Sequence, residues 1–411
     1  MPDSSRTFVI VGGGMAGGKA AESLRAEGFD GRVVIVGAEP VPPYERPPLS
    51  KDYLAGSSPR EKAFLQAEDW WAEHEIELLT GRRATAIDVA GRRVSVDDGS
   101  EVLYQRLLLA TGAVPKRPPI PGAGLDGVMT LRSMADSDEL RERLQRPGAR
   151  LAIVGAGWIG CEVAASARAL GAEVTLLEAA SQPMEGVLGA QLGAFFADLH
   201  RDHGVDVRTG VAVEEIAGAG RVDHVRLADG ERIAADTVLL AVGVAPDTEL
   251  AAAAGLTVDD GIVVDERLAA SAPDVLAAGD VASAFHPRYG RHLRVEHWST
   301  ALNQGLAAGR LLPGDGEPYT RLPYFFSDQY DLGLEYVGHH ARDDRLVVRG
   351  DPATRRLIAF WLDAEQRPTA AMHVNEWDAI DPLRRLVDAA APADPERLAD
   401  ASVPLEELAP A

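Results

Sequence analysis

The chain has 411 residues, too many for one hydrophobic core and enough for two or three domains. An apolar content of 46% reads as globular, and a formal charge of −22 disfavours nucleic acid and anionic membrane as partners. A single cysteine, Cys161, excludes a disulfide framework and catalysis by an internal thiol pair, so only a bound group could store electrons.

The opening MPDSSR meets a strand almost at once, leaving no room for a secretory signal, and the longest apolar run, at 237–244, is strand-sized. A cytoplasmic location is the expectation. Arginine supplies nearly all the positive charge; lysine occurs only at Lys19, Lys51, Lys62 and Lys116.

Residues 8–17, FVIVGGGMAG, carry an apolar β-branched run into Gly12, Gly14 and Gly17, and a helix to about Ala26 and a strand at 32–36 follow. Strand, Gly-x-Gly-x-x-Gly turn, helix and strand in this order make a dinucleotide-binding unit. Gly12 permits the turn, Gly14 admits a pyrophosphate, and Gly17 lets helix and strand pack closely, with Met15 and Ala16 in the same turn. Prolines 47 and 48 stiffen the backbone just before Lys51. Trp70 and Trp71 read as helix-to-core packing. A strand at 106–109 ends in Ala110-Thr111-Gly112.

The pattern recurs at 151–160, LAIVGAGWIG, with Gly155, Gly157 and Gly160, and with Trp158 and Ile159 inside the turn. Glu162 follows, read as lying in the first turn of the next helix. The strand 173–177 then ends at Glu178, where an acid can bind a ribose 2′-hydroxyl. Gly243, near the end of the apolar run at 237–244, is a further candidate cofactor contact. Residues 275–280, VLAAGD, place Gly279 and Asp280 at a strand's C-terminal end, where open α/β sheets bind ligands. Two such units in one chain imply two different dinucleotides, a donor and an acceptor of electrons.

Past 322 the pattern changes to strands at 332–337, 345–349 and 357–362, a turn at 351–355, and a helix at 382–390. This describes a small antiparallel α+β domain. The Pro/Ala-rich tail after Ala391 reads as irregular and superficial, and Cys161 as structural. The histidines show no metal-ligand spacing, since adjacent His339 and His340 on a strand point to opposite faces. The expected fold class is α/β: two Rossmann-like domains in a glutathione-reductase-like arrangement plus the C-terminal α+β domain. The first glycine unit would occupy 1–113 and 247–320, the second 114–246, and the last domain 321–411.

With PYERPPLSKDYL (43–54), GWIGCEVAA (157–165), VLAAGDVA (275–282), VEHW (295–298) and FFSDQYD (325–331), the chain resembles the FAD-dependent ferredoxin reductases of oxygenase systems. Putidaredoxin reductase and the biphenyl-dioxygenase reductase typify them, and apoptosis-inducing factor is a more distant relative. The resemblance implies FAD on the first unit and NAD, as NADH, on the second. It implies Arg46 and Lys51 as FAD contacts, with Lys51 beside the reactive edge and paired with Glu162. Asp280 would meet the ribityl chain, with Arg132 and Ala84 elsewhere on FAD. His297 and Trp298 would lie at the pyrimidine end, Glu296 near the nicotinamide carboxamide, and Phe326 over the flavin. Lys51 and Glu162 are thus the candidate catalytic pair. The sequence departs from the family twice: Gly37-Ala38-Glu39 leaves only Glu39 for the FAD ribose, and Phe326 stands where tryptophan is usual.

The implied activity passes electrons from NADH through FAD to a small acidic ferredoxin serving an oxygenase or cytochrome P450. The chain would act as a monomer or homodimer. Rubredoxin reduction is the near alternative, and a redox-sensing role like that of apoptosis-inducing factor the distant one. Arg288, Arg291, Arg294 and Arg310 form a candidate docking patch for the acidic partner.

Overall fold

The apolar run before the first glycine turn forms the strand Asp3–Val11, central in a five-stranded sheet of the computed structural model. Val275–Ala277 and Arg106–Leu109 lie to one side of it, Gly31–Gly37 and Ile76–Thr80 to the other, and every pairing is parallel. Val9, Ile10, Val33, Val34, Leu107 and Leu108 have no exposed surface. That explains why these strands read as continuous apolar runs instead of alternating ones: both faces are covered. The structure describes residues 3–314 and 316–408.

The chain divides into two units, the first comprising Met1–Pro48, Ser58–Val114 and Val244–Arg321. In it the helix Met15–Ala26 lies against the helix Trp298–Leu311 through small residues. A Cβ on Gly305 would stand 2.5 Å from the Ala16 carbonyl oxygen, and Ser23 Oγ donates to Leu306 O at 2.9 Å. The first helix begins at Met15, taking Gly17 and Gly18 into its body. Glycine's poor helix propensity is overridden there by close packing.

The second unit comprises Leu49–Ser57, Pro115–Gly243 and Leu322–Ala411. Its parallel sheet runs Asp206–Thr209, Glu173–Glu178, Arg150–Val154, Thr237–Leu240, Val128–Met129, repeating the glycine-turn logic around the central strand Arg150–Val154. A five-stranded antiparallel sheet follows, ordered Tyr324–Gln329, Leu332–Gly338, Pro368–Val374, Arg356–Leu362, Arg345–Asp351. The helix Ile380–Ala389 covers one of its faces, with Leu383, Leu386 and Val387 buried among Val337, Phe360 and Leu362.

The tail after Ala391 is not irregular. It forms the helix Pro395–Ala399, capped by Asp394, and a 3-10 turn at Leu405–Glu407. Leu398 is 1% exposed and joins the same cluster, and Arg349 donates to the carbonyls of Asp400, Ala401 and Val403. Single apolar anchors set among prolines and aspartates leave no period to read, which is why the sequence concealed this.

Leu398→Ala should destabilise this unit by about 2–4 kcal/mol, the cost of a cavity at a packed leucine. Ser402→Ala, at an exposed turn, should cost less than about 0.5 kcal/mol. Urea midpoints compare the two; equal, small shifts would show that the tail is not part of the core.

Candidate functional site

Both glycine turns are built to let backbone meet backbone. Gly12 sits at φ +125°, and a Cβ there would lie 2.0 Å from Ala110 O; one on Gly17 would lie 2.0 Å from Gly12 O. Gly14, by contrast, would meet nothing within 4 Å. Gly14 is the N-cap of the helix, no side chain caps it, and its first turn, which holds Met15 and Ala16, carries no acid. The second turn repeats this. A Cβ on Gly155 (φ +102°) would lie 2.5 Å from Ala241 O, one on Gly160 2.1 Å from Gly155 O, and Gly157 faces open space. Trp158 and Ile159 begin that helix, again uncapped and without a first-turn acid. An open, uncapped helix N-terminus with partial positive charge fits a phosphate. At the end of the neighbouring strand Gly243 has φ +89°, and its carbonyl accepts from Lys116 N at 3.0 Å.

In the first unit three candidate residues converge. Glu39 accepts from Arg46 Nη2 at 2.7 Å and from Tyr44 Oη at 2.5 Å. Burial pulls the Arg46 guanidinium down, but Tyr44, Glu39 and Asp280 outweigh it and hold its pKa above the usual value. Gly279, beside Asp280, donates its N–H to Gln304 Oε1 at 2.9 Å; Gln304 is 3% exposed and drew no attention in the sequence. Past Ala110, Thr111 Oγ1 donates to Asp247 O at 2.6 Å and Gly112 O accepts from Asp247 N. Ala84 opens the strand Ala84–Asp88 opposite Val96. His297 caps its helix through Nδ1, which accepts from Ser299 N, and burial pushes the nearby Glu45 carboxyl up. Glu296 is ion-paired with Arg294, which also holds Asp260 at 2.9 Å. The docking patch therefore loses Arg294, whose charge is already answered by two carboxylates; Arg288, Arg291 and Arg310 remain exposed.

In the second unit the candidate pair is present: Lys51 Nζ stands 2.8 Å from Glu162 Oε2, with Lys51 14% and Glu162 6% exposed. Glu162 is not in the first helical turn. The helix starts at Trp158, which puts Glu162 in the second turn, past the reach of the terminal dipole. It is instead met by hydroxyls, Ser50 Oγ donating to Oε2 at 2.5 Å and Ser327 Oγ to Oε1 at 2.7 Å. The Leu49–Ser57 segment is tied in place, since Ser166 Oγ donates to Ser50 O and Ser137 Oγ to Leu49 O. Phe326 lies 5.6 Å from Lys51 Nζ, ring centroid to ammonium. Arg132 N donates to Asp136 Oδ2 ahead of the helix Met134–Leu144. Glu178 accepts from Ala156 N at 2.7 Å and from Ala180 N at 2.8 Å, so it braces its own glycine turn. Cys161 is buried, and desolvation pushes its thiol far up, so it is inert. Among the described residues no cluster could hold a metal ion, and no helix is long and apolar enough to cross a membrane.

His200 also escaped the sequence reading, because a lone histidine on a helix carries no signal. It has no exposed surface, and it bonds Tyr330 Oη through Nδ1 at 2.9 Å and Gln329 Oε1 through Nε2 at 3.0 Å.

Two glycine-turn α/β units in a chain without a thiol pair define an oxidoreductase that works with bound dinucleotides. The family model "Pyridine nucleotide-disulphide oxidoreductase" matches residues 6–305, and "Reductase C-terminal" matches 324–409. The 5,5'-dehydrodivanillate O-demethylase ferredoxin reductase subunit of Sphingobium sp. is 42% identical over 404 residues, 97% of each chain. Putidaredoxin reductase of Pseudomonas putida is 38% identical, covering 99% of this chain and 97% of its own. The crystal structure of the covalent putidaredoxin reductase–putidaredoxin complex matches with a TM-score of 0.95 at 37% identity, over 99% of this chain and 98% of that one. The chain belongs to the pyridine nucleotide-disulphide oxidoreductase family.

Burial lowers the His200 pKa to about 4 from an ordinary 6.5, against a smaller raising effect of Gln329. Below pH 6.5 the unfolded chain takes up a proton that the folded chain refuses until about pH 4. This contribution is therefore intact above pH 6.5 and declines as pH falls through that window, by up to about 1.4 kcal/mol per pH unit. His200→Asn should show a shallower acid slope in urea unfolding between pH 6.5 and 4. Parallel slopes would show that His200 is readily protonated in the fold.

Proposed function

We propose that this chain takes a hydride from NADH onto FAD and passes the electrons singly to a small iron–sulfur protein of the ferredoxin kind. The observation that carries the proposal is the pair of open, uncapped glycine-turn helix ends in a chain whose only thiol is buried and inert. FAD, when bound, supplies the conversion from a two-electron donor to one-electron delivery. The relatives are themselves named ferredoxin reductases, which supports this acceptor class.

The roles follow from each residue's surroundings. Gly12, Gly14, Met15, Ala16 and Gly17 hold the FAD pyrophosphate; Ala110, Thr111, Gly112 and Gly279 shape the adjoining strand ends. Glu39, braced by Tyr44 and Arg46, takes the ribose, which recovers an acid at the place where Ala38 offers none. Asp280, Ala84, Arg132, His297 and Trp298 complete the FAD contacts. Gly155, Gly157, Trp158, Ile159, Gly160 and Gly243 receive NADH, with Glu178 on its ribose and Glu296 toward its carboxamide. Phe326 offers a flat ring for stacking. The Lys51 ammonium offsets negative charge gained by the bound flavin, and Glu162 holds that ammonium still. The net charge of −22 makes a local basic patch necessary for an acidic partner, and Arg288, Arg291 and Arg310 supply it. The protein works in the cytoplasm, as a monomer or a homodimer.

Flavin absorbance in the purified chain, bleached by NADH and restored by a [2Fe–2S] ferredoxin, tests the activity. NADH oxidation that no ferredoxin accelerates would sink it. Gly14→Val places a branched side chain in the open cradle, so FAD retention should fall more than about 100-fold while the unfolding midpoint of the apoprotein barely moves. Full retention by that variant would put the pyrophosphate elsewhere.

NADH should be preferred to NADPH by about 100-fold in kcat/KM, because a 2′-phosphate would face Glu178 and like charges cost a few kcal/mol. Glu178→Gln removes the charge and should narrow the ratio. A preference unchanged by that substitution would mean that Glu178 only braces the turn.

A further inference from the structure

We propose that Tyr330, His200, Gln329 and Ser327 form a one-way hydrogen-bonded row that fixes the Glu162 carboxylate, and through it the Lys51 ammonium, as positioning residues for flavin reduction. This rests on the role proposed above for Lys51 and Glu162.

The row is continuous, and its three inner members are buried. Tyr330 Oη meets His200 Nδ1 at 2.9 Å, His200 Nε2 meets Gln329 Oε1 at 3.0 Å, Gln329 Nε2 reaches Ser327 Oγ at 3.3 Å, and Ser327 Oγ reaches Glu162 Oε1 at 2.7 Å. His200 and Ser327 have no exposed surface and Gln329 is 1% exposed. Ser327 and Gln329 are two residues apart on the strand Tyr324–Gln329, so both side chains leave the same face.

Its direction is forced from the carboxylate outward. A carboxylate only accepts, so the single Ser327 proton goes to Glu162. Ser327 must then accept from the Gln329 amide N–H, which turns the Gln329 oxygen toward His200. That oxygen needs a proton on Nε2, leaving Nδ1 to accept from the Tyr330 phenol. The protonation states agree: burial keeps the His200 ring neutral, with one N–H to give, and raises the Tyr330 pKa, so the phenol stays a donor. Every link points toward Glu162, and such chains strengthen one another by polarisation.

The far end is held at a cost. Tyr330 has φ +58°, a left-handed conformation that a bulky residue rarely adopts. Its ring stacks on His203 at 3.6 Å between centroids, 11° from parallel, while its hydroxyl serves His200. The strain places one side chain on two partners of the same helical end. On the other oxygen, Ser50 and Lys51 both meet Oε2. Ser327 thus holds Oε1 while Lys51 and Ser50 hold Oε2, which leaves the carboxylate no free rotation.

The test uses the FAD-loaded full chain with 15N-labelled lysine; only four lysines occur, so the Lys51 ammonium is readily assigned by comparison with Lys51→Met. Ser327→Ala should speed hydrogen exchange at Lys51 Nζ and slow NADH-driven flavin reduction, each by about 10- to 100-fold, the size of a lost hydrogen bond to a charged group. Ser327→Thr keeps the hydroxyl and should restore both. Gln329→Met is nearly isosteric but offers Ser327 no donor, so it should reproduce Ser327→Ala even if the alanine variant folds poorly. Unchanged Lys51 exchange in Ser327→Ala and Gln329→Met would overturn the row, and faster exchange with no change in reduction would overturn its part in flavin reduction. Lys51→Met separates the two ideas: if it reduces as fast as the parent, the role of Lys51 falls, while Lys51 exchange in the Ser327 and Gln329 variants still decides whether the row fixes the ammonium.

Discussion

A charge at 6% exposure is tolerable only if it is paired and its remaining lone pairs are satisfied, and Glu162 places that constraint on the second unit. Three segments distant in sequence answer it. The Pro-Pro-Leu-Ser-Lys turn brings Ser50 and Lys51, the strand Tyr324–Gln329 brings Ser327, and the helix Trp158–Ala169 brings Glu162 itself. Each must arrive to within hydrogen-bond range, or a buried carboxylate is left uncompensated at several kcal/mol. That penalty explains the extra ties around it. Ser166 and Ser137 fasten the backbone of Leu49 and Ser50 to two helices, so a short irregular segment behaves as part of a rigid scaffold. The same bonds account for Leu49–Ser57 grouping with the second unit although its neighbours in sequence belong to the first.

Much of this is legible in the amino-acid sequence. Glycine spacing and strand–helix alternation are local signals with one physical meaning, so both turns emerged from residues 8–17 and 151–160 directly. The pairing of Lys51 with Glu162 needed the family resemblance, because no local pattern joins residues 51 and 162. Two of the five C-terminal strands escaped. Pro368–Val374 opens with proline and carries two alanines, and Tyr324–Gln329 ends in polar residues, so neither matches what a strand statistically prefers. Burial by neighbours decides them, and burial is a tertiary fact. Gln304 and His200 are invisible for a related reason: each is held by partners distant in sequence, a backbone N–H for Gln304 and two side chains for His200. Glu162 sits one turn deeper than its place two residues past Gly160 suggests, because the helix already starts at Trp158.

The two glycine turns solve one backbone problem and then diverge in charge. Both leave an open helix end, and both have an acid at or just past the end of the second strand, yet the acids are held differently. Glu39 is bound by an arginine and a phenol, a setting in which its charge is largely answered by a neighbouring cation. Glu178 is bound by two backbone N–H groups, Ala156 inside the turn and Ala180 beyond it, with no cationic partner among its hydrogen bonds. A neutral hydroxyl suits either place, since carboxylate oxygens have further lone pairs to offer. A phosphate does not: near Glu39 it would find Arg46 at hand, whereas near Glu178 it would meet an unneutralised charge of its own sign. On the proposed roles, discrimination between nicotinamide dinucleotides belongs to the second turn, and it comes from which partner holds the acid and not from the glycine motif that the two turns share.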